Sequence, residues 1–159
     1  MRSDKTRIQS ILEKNAPFTF LATCEGNAPR LRPMAAIVAP DLAVRLVTYR
    51  SSAKVAELRV NPRLALAFVE PPAGDTAATV YGRASFVDDD AEKSRVCRLS
   101  PYDLTRHFPE GPGSAEFCLL KVEIESIEWW DRWEDGRRVY RPPAAFPLPG
   151  GEPNGRADP

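Results

Sequence analysis

The stretch VTYRSSAK, residues 47–54, decides how this chain folds, because a strand-like run gives way to a helix-like run within it. Residues 42–47 alternate in polarity and are rich in aliphatic and β-branched side chains, which is typical of a β-strand. After the junction, Val55 and Leu58 recur at helical spacing among charged residues. The sequence therefore predicts a helix whose N-terminus stands at the end of a strand.

Hydroxyl and amino groups are concentrated at this predicted helix start. Ser51 or Ser52 can cap the helix by accepting hydrogen bonds from its free N–H groups, and those N–H groups together with the helix dipole favour an anion. Lys54 would complete a cup for a phosphate group. The same residues are also compatible with an ordinary capped surface helix that carries a solvated lysine.

Length and composition restrict the classes of protein to consider. At 159 residues the chain suits one domain, and its 22 basic and 22 acidic residues give no global charge that would select nucleic acid or an anionic membrane as a partner. Cys24, Cys97 and Cys118 are widely spaced and fit neither a disulfide framework nor a CxxC metal site. Because there is no apolar run of transmembrane length and no signal-peptide core, we expect a cytoplasmic protein.

The predicted elements are mainly strands. A short amphipathic helix is predicted from Ser3 or Asp4 to Lys14, and the helix after residue 52 is predicted to end at Val60. The predicted strands cover residues 18–24, 29–39, 42–48, 64–69, 76–87, 118–129 and 137–141. Antiparallel hairpins at this spacing favour a closed barrel or a sandwich, so we predict a mainly β (α+β) protein of six or seven strands with short flanking helices.

Several local irregularities are also predicted. Gly82 indicates a bulge or a close backbone approach, and the change of apolar parity in the last long strand requires a bulge near residues 125–126. The acids at 88–90 favour a helix N-terminus over a metal site. Residues 99–114 are rich in proline and glycine and should form a surface excursion able to act as a lid, and residues 142–159 should be an extended or disordered tail.

This order of elements resembles the pyridoxamine 5′-phosphate oxidase-like superfamily of FMN-binding split barrels. The resemblance covers roughly residues 8–141, implies an FMN-binding split-barrel domain over residues 1–141, and is strongest for the general stress protein branch rather than for the vitamin-making oxidase. The motifs that carry it are Arg30-Leu31-Arg32-Pro33-Met34, Thr48 with Ser52 and Lys54, Asn61-Pro62-Arg63, Gly82-Arg83-Ala84 and Ile127-Glu128-Trp129-Trp130-Asp131.

The resemblance implies roles for single residues. Arg32, Ser52 and Lys54 match residues that contact the flavin phosphate, and Thr48 and Tyr49 match the segment that lines the flavin. The aromatic residue that approaches the cofactor from the other subunit corresponds to the second tryptophan of the pair, which could otherwise serve with its neighbour as a core or dimer plug. The set implied to bind the cofactor is Arg32, Pro33, Met34, Thr48, Tyr49, Ser52, Lys54 and Trp130.

The sequence departs from the vitamin-making oxidase at three places. A second phosphate-side lysine of that enzyme aligns with Ile37, and a glutamine from the partner subunit aligns near Ala77. Arg138 lies near the position of a substrate-phosphate arginine, but the Arg-x-His substrate motif reads here Arg138-Val139-Tyr140. We therefore expect pyridoxamine phosphate to be a poor substrate.

The implied function is an FMN-dependent oxidoreductase that works as a homodimer with the flavin at the interface and acts on a small-molecule redox substrate. Because the flavin carries the electrons, no side chain is assigned as a catalytic acid, base or nucleophile, and no metal is expected. Three alternatives stay open: a non-catalytic flavin-binding stress or sensor protein, a deazaflavin-binding relative, and a haem-binding relative. His107 could be an axial ligand in the last case, or an ordinary surface residue.

Overall fold

The computed structural model describes residues 3–143, so most of the predicted tail lies outside the described residues. These residues form three α-helices, four single-turn 3-10 helices and eight strands. The helices are α1 Asp4–Asn15, α2 Ala53–Val60 and α3 Asp90–Leu99. The strands are β1 Thr19–Glu25, β2 Ala28–Met34, β3 Ile37–Ala39, β4 Ala43–Tyr49, β5 Arg63–Val69, β6 Ala77–Val87, β7 Phe117–Trp130 and β8 Arg138–Tyr140.

All strand pairs are antiparallel, and the sheet runs in the order β2-β1-β5-β6-β7-β4-β3, with β8 added to β7. The two end strands, β2 and β3, are separated along the chain only by residues 35–36. Because so short a connection joins the two ends, the sheet must curl round until they meet without pairing. This is a split barrel, and the predicted fold class is confirmed.

The number of strands differs from the prediction at this connection. The single strand predicted over residues 29–39 is two strands, because Ala36 turns into the core, where it is fully buried and its N–H donates to Ala16 O at 2.8 Å. β2 therefore pairs with β1, whereas β3 pairs with β4 at the other end of the sheet. The count rises to eight strands within residues 3–143.

The interior of the barrel is apolar and is closed by α1 and α2. Ser3 caps α1 by accepting from Thr6 N, and the predicted apolar stripe of that helix is buried. Helix α2 contributes Val55 and Leu58 to the same core. The largest fully buried side chains of this core are Ile8, Leu12, Leu21, Leu46, Leu58, Leu66, Phe68, Leu120 and Trp129.

A bulge in β7 allows one long strand to keep its apolar side chains inside the barrel. Tyr81 pairs with Ser126 and Gly82 pairs with Ile124, so Glu125 is the extra residue and the inward parity changes across it. A Cβ atom at Gly82 would lie 2.1 Å from Glu123 O, which explains the glycine. Both local predictions, the bulge and the close approach, are confirmed.

A second apolar layer covers the outside of β4 and β7. Helix α3 and residues 99–114 contribute Val96, Leu104 and Phe108, which pack against Val47 and Phe117. The predicted excursion is thus irregular, but buried side chains anchor it to the sheet. No helix within residues 3–143 is long and apolar enough to cross a membrane.

Candidate anion-binding site at the start of helix α2

The turn from β4 into α2 leaves one hydroxyl without a partner. Ser52 is the N-cap residue of α2, but its side chain makes no capping hydrogen bond. Its Oγ is buried, and no residue of the described range 3–143 bonds to it. Ser51 is also not a cap, because its Oγ donates to Glu116 Oε2 at 2.6 Å. The predicted capping by a serine hydroxyl is therefore wrong, and a buried polar atom is left at the helix start.

Lys54 lies beside this turn with its charge unbalanced. Its Nζ donates to Thr48 Oγ1 at 3.1 Å, and it forms no ion pair with any of residues 3–143. Burial lowers the pKa of Lys54, and the nearby positive charge of Arg32 lowers it further, against a smaller opposing effect of Glu57. An anion at this position would offset both causes, since it would stabilise the charged amine.

Arg32 points inward from β2 and is held by two side chains that sequence reasoning missed. Its Nη1 donates to Thr23 Oγ1 at 2.5 Å, and its Nη2 donates to Glu57 Oε2 at 2.7 Å. Thr23 also donates to Glu57. Thr23 lies on the buried face of β1 together with Thr19 and Leu21. Its place two residues after Leu21 in a predicted strand is the signal that could have pointed to it.

Arg32, Glu57 and the first residue of α2, Ala53, line one open depression of about 450 Å³ on the barrel surface. The mouth also carries Arg30, which is paired with Glu25. Thr48, Ser52 and Lys54 do not line this depression but lie beside it at the α2 start, where the charges of Lys54 and Arg32 are close enough to interact. Their donors can hold a small anion by charge and by hydrogen bonds.

An apolar depression of about 390 Å³ lies at the far end of β2. It is the place where the structure puts Pro33 and Met34, the other two members of the predicted arginine motif. The side chain of Phe18, 82% exposed, forms part of its wall. The lining residues are Pro17, Phe18, Thr19, Phe20, Pro33, Met34 and Ala35.

Tyr49 does not join the group around α2. Strand alternation puts Thr48 on the side of the barrel interior and Tyr49 on the side of the outer layer. There the Tyr49 hydroxyl lies 3.2 Å from His107 Nδ1, and its ring centroid lies 5.0 Å from that of Phe108. His107 is therefore an exposed residue that contacts a tyrosine.

Trp130 and Arg138 lie at the end of β7 and on β8. Trp130 is half-buried, and its Nε1 donates to Gly74 O at 3.3 Å. Its neighbour Trp129 is 1% exposed and belongs to the core, with the guanidinium of Arg138 4.9 Å from its ring centroid. Of the tryptophan pair, only Trp130 is accessible to a cofactor or a partner.

Two of the three departures noted in the sequence, at Ile37 and Ala77, also have structural counterparts. Ile37 is buried under the outer layer, and Ala77 is buried where β6 pairs with Trp130. Neither position offers a polar group to an anion. Among residues 3–143, no cluster of three His, Cys, Asp or Glu side chains could hold a metal ion.

The fold and the disposition of these side chains first define a class: the chain is an antiparallel split barrel with short helices at its openings. A family model described as pyridoxamine 5′-phosphate oxidase matches residues 5–131, and the chain therefore belongs to this family. The resemblance inferred from the sequence motifs is thereby confirmed. A sequence comparison with curated proteins gives no match.

Solved structures share the fold. One is a Clostridium acetobutylicum protein related to general stress protein 26 of the pyridoxinephosphate oxidase family, with TM-score 0.71, 17% identity and coverage of 86% of this chain and 92% of that one. General stress protein 26 of Bacillus anthracis has a TM-score of 0.65 and 16% identity, with coverage of 85% of this chain and 98% of that one. A haem-binding protein of Mycobacterium smegmatis has a TM-score of 0.68 and 14% identity, with coverage of 89% of this chain and 59% of that one. At these identities the likeness is one of fold.

Proposed function

We propose that this protein binds FMN and acts as an FMN-dependent oxidoreductase on a small-molecule substrate, without being the vitamin-making enzyme. The observation that carries the proposal is the buried, unpartnered Ser52 hydroxyl at the start of α2, next to Lys54 and near Arg32. FMN ends in one phosphate group, and a helix N-terminus with a hydroxyl and two cations fits such a group. Membership of the family supports the choice of a flavin.

In this proposal Arg32, Ser52 and Lys54 hold the phosphate, and Thr48 keeps the Lys54 amine in place through the 3.1 Å hydrogen bond. The bound flavin would supply the electron-transfer chemistry, while the protein supplies binding and orientation. Pro33 and Met34 offer an apolar surface for a ring at the other end of β2.

The first test is the absorption spectrum of the purified protein, followed by titration with FMN and with riboflavin. We expect a flavin spectrum and a much lower Kd for FMN than for riboflavin, because only FMN carries the phosphate. Reduction of the bound flavin by NADH or NADPH, followed by an electron acceptor, then tests the oxidoreductase role. A protein that binds FMN but is reduced by neither nucleotide would favour a flavin-binding stress or sensor protein.

Haem is kept as an alternative cofactor because the haem-binding protein of Mycobacterium smegmatis has the same fold. The same spectrum separates the two, because haem gives a Soret band and flavin does not. Affinity for a deazaflavin above that for FMN would select the deazaflavin-binding alternative. Poor turnover of pyridoxine phosphate is expected in every case, because Tyr140 stands where the substrate motif requires histidine.

We also propose a homodimer with the flavin at the interface. The outer face of β1, β2 and β6 exposes Phe20, Leu31 and Tyr81, of which Leu31 is 69% exposed, and a second copy would cover this apolar surface. Trp130 of one subunit would then approach the cofactor of the other. Light scattering should give twice the chain mass, and a monomer with full flavin occupancy would contradict the shared site.

A further inference from the structure

Glu57 places a negative charge inside the proposed phosphate site. It lies one turn into α2, and its side chain is only 10% exposed. Its Oε2 accepts hydrogen bonds from both Arg32 and Thr23, and it lines the same depression as Arg32 and Ala53. The hydrogen bond from Thr23 is the largest cause that lowers the pKa of Glu57, followed in the same direction by Arg32, so the carboxylate is ionised near neutral pH.

The charges around the α2 start can be counted from these residues. Arg32 and Lys54 contribute two positive charges, and Glu57 removes one of them, leaving a net charge of about +1 for a phosphate monoester that carries nearly two negative charges. Arg32 would have to serve two anions at once. The Arg30–Glu25 pair at the mouth is internally balanced and does not change this count.

We propose that Glu57 is an internal competitor for Arg32 that sets how tightly the site holds a phosphate group. The proposal rests on the proposed function. Repulsion between the Glu57 carboxylate and the phosphate weakens binding, so the cofactor exchanges with solution rather than staying permanently bound. In the absence of phosphate, the same carboxylate and Thr23 keep the Arg32 side chain ordered.

The opposite role makes the opposite prediction. If Glu57 only aligned Arg32 for the phosphate, its loss would weaken phosphate binding, because a mobile arginine pays more conformational entropy on binding. The sign of the change in affinity therefore separates a competitor from a positioning residue.

The test is the Glu57→Gln variant, which keeps the size of the side chain and an oxygen acceptor for Thr23 but removes the charge. We expect its Kd for FMN, measured by quenching of flavin fluorescence, to fall on the order of tenfold, because a short-range repulsion is lost. Its Kd for riboflavin should not change. The dependence of FMN binding on salt should also become steeper, since the local positive charge rises.

A matched control is Glu13→Gln, which removes the same global charge from the exposed face of α1 and should leave FMN affinity unchanged. Unchanged or weaker FMN binding by Glu57→Gln would overturn the proposal and make Glu57 a positioning residue. If neither the wild type nor Glu57→Gln binds any flavin, the proposed cofactor is wrong, and inorganic phosphate becomes the probe. A larger rise of Tm with phosphate for Glu57→Gln than for wild type would then support the competitor role, and an equal or smaller rise would refute it.

Discussion

Two places in the molecule join a strand arginine to a glutamate on a helix, and they are built very differently. Near the start of α2, Arg32 of β2 contacts Glu57 at 2.7 Å. Near the start of α3, Arg45 of β4 contacts Glu92 at 3.3 Å. Both pairs connect a strand to a helix, and both are largely withdrawn from solvent.

The α3 cluster satisfies its own groups. Asp89 caps the helix by accepting from Glu92 N at 2.7 Å, and the Glu92 carboxylate accepts from Arg95 as well as from Arg45. At α2 the cap hydroxyl of Ser52 has no partner within residues 3–143, and Lys54 has no carboxylate there. A satisfied cluster stabilises the fold, whereas the unsatisfied one has donors available for a ligand.

The largest expected effect comes from removing a cation at α2. Arg32→Ala and Lys54→Ala should each weaken FMN binding by about 1.5–3 kcal/mol, the value of a charge-assisted hydrogen bond, while the protein stays folded. Isothermal titration with FMN measures the loss, and circular dichroism checks the fold. The control is Arg45→Ala, which removes a cation from the α3 cluster and should leave FMN affinity unchanged. If Arg32→Ala or Lys54→Ala binds FMN like wild type, that residue does not hold the phosphate.

The two cap residues should respond in opposite ways. Asp89→Ala should lower the free energy of unfolding by about 1 kcal/mol, because a capping hydrogen bond is lost, and should leave FMN binding intact. Ser52→Ala should cost little or no stability, since its hydroxyl makes no capping bond, but should weaken FMN binding several-fold. Urea unfolding gives the free energy of unfolding of each variant, and titration with FMN gives its Kd. A clear loss of stability in Ser52→Ala would remove the contrast between the two helix starts.

The smallest expected effect is the pH dependence of the α3 cluster, because the Arg95 side chain is 46% exposed and solvent screens its ion pair with Glu92. Hydrogen bonding to Arg95, with a further contribution from Arg45, lowers the pKa of Glu92 from 4.5 to about 2. A depressed pKa stabilises the folded state fully above the unfolded value, and this contribution is lost as the pH falls from about 4.5 through about 2. Glu92→Gln should therefore lose less stability than wild type across this window, as urea midpoints at several pH values would show. Identical curves would mean that the carboxylate adds nothing.

The parts of the fold that could be predicted are those governed by local pattern. The apolar stripe of α1, the parity change in β7 and the glycine at 82 all leave a signal within a few residues, and the structure confirms each one. The break at residues 35–36 leaves no such signal. It lies in an apolar run without glycine, and only the distant pairing of β3 with β4 requires it.

The candidate site divides in the same way. Ser52 and Lys54 were found because strand and helix meet beside them in the sequence. Glu57 was missed because its partner Arg32 is on another element, 25 residues away, and a lone glutamate on a short helix looks like any solvated residue. The capping prediction failed at Ser51 because Glu116, also distant in sequence, accepts from its hydroxyl, and it failed at Ser52 because the hydroxyl of this N-cap residue makes no capping bond.

The extra residue in β7 changes the numbering of the inward-facing positions, while the bulge that holds it keeps the apolar side chains on the same side of the strand. Up to Ile124 the even-numbered side chains face the barrel interior, and from Ile127 onward the odd-numbered ones do. Deletion of Glu125 alone would remove the bulge and place Ile127 two positions after Ile124 in a regular strand, so Trp129 would stay in the core and Trp130 outside it. The two rings would keep their environments, so the contribution of the extra residue is a local bend and added twist of the strand opposite Gly82, and not the placement of the tryptophan pair.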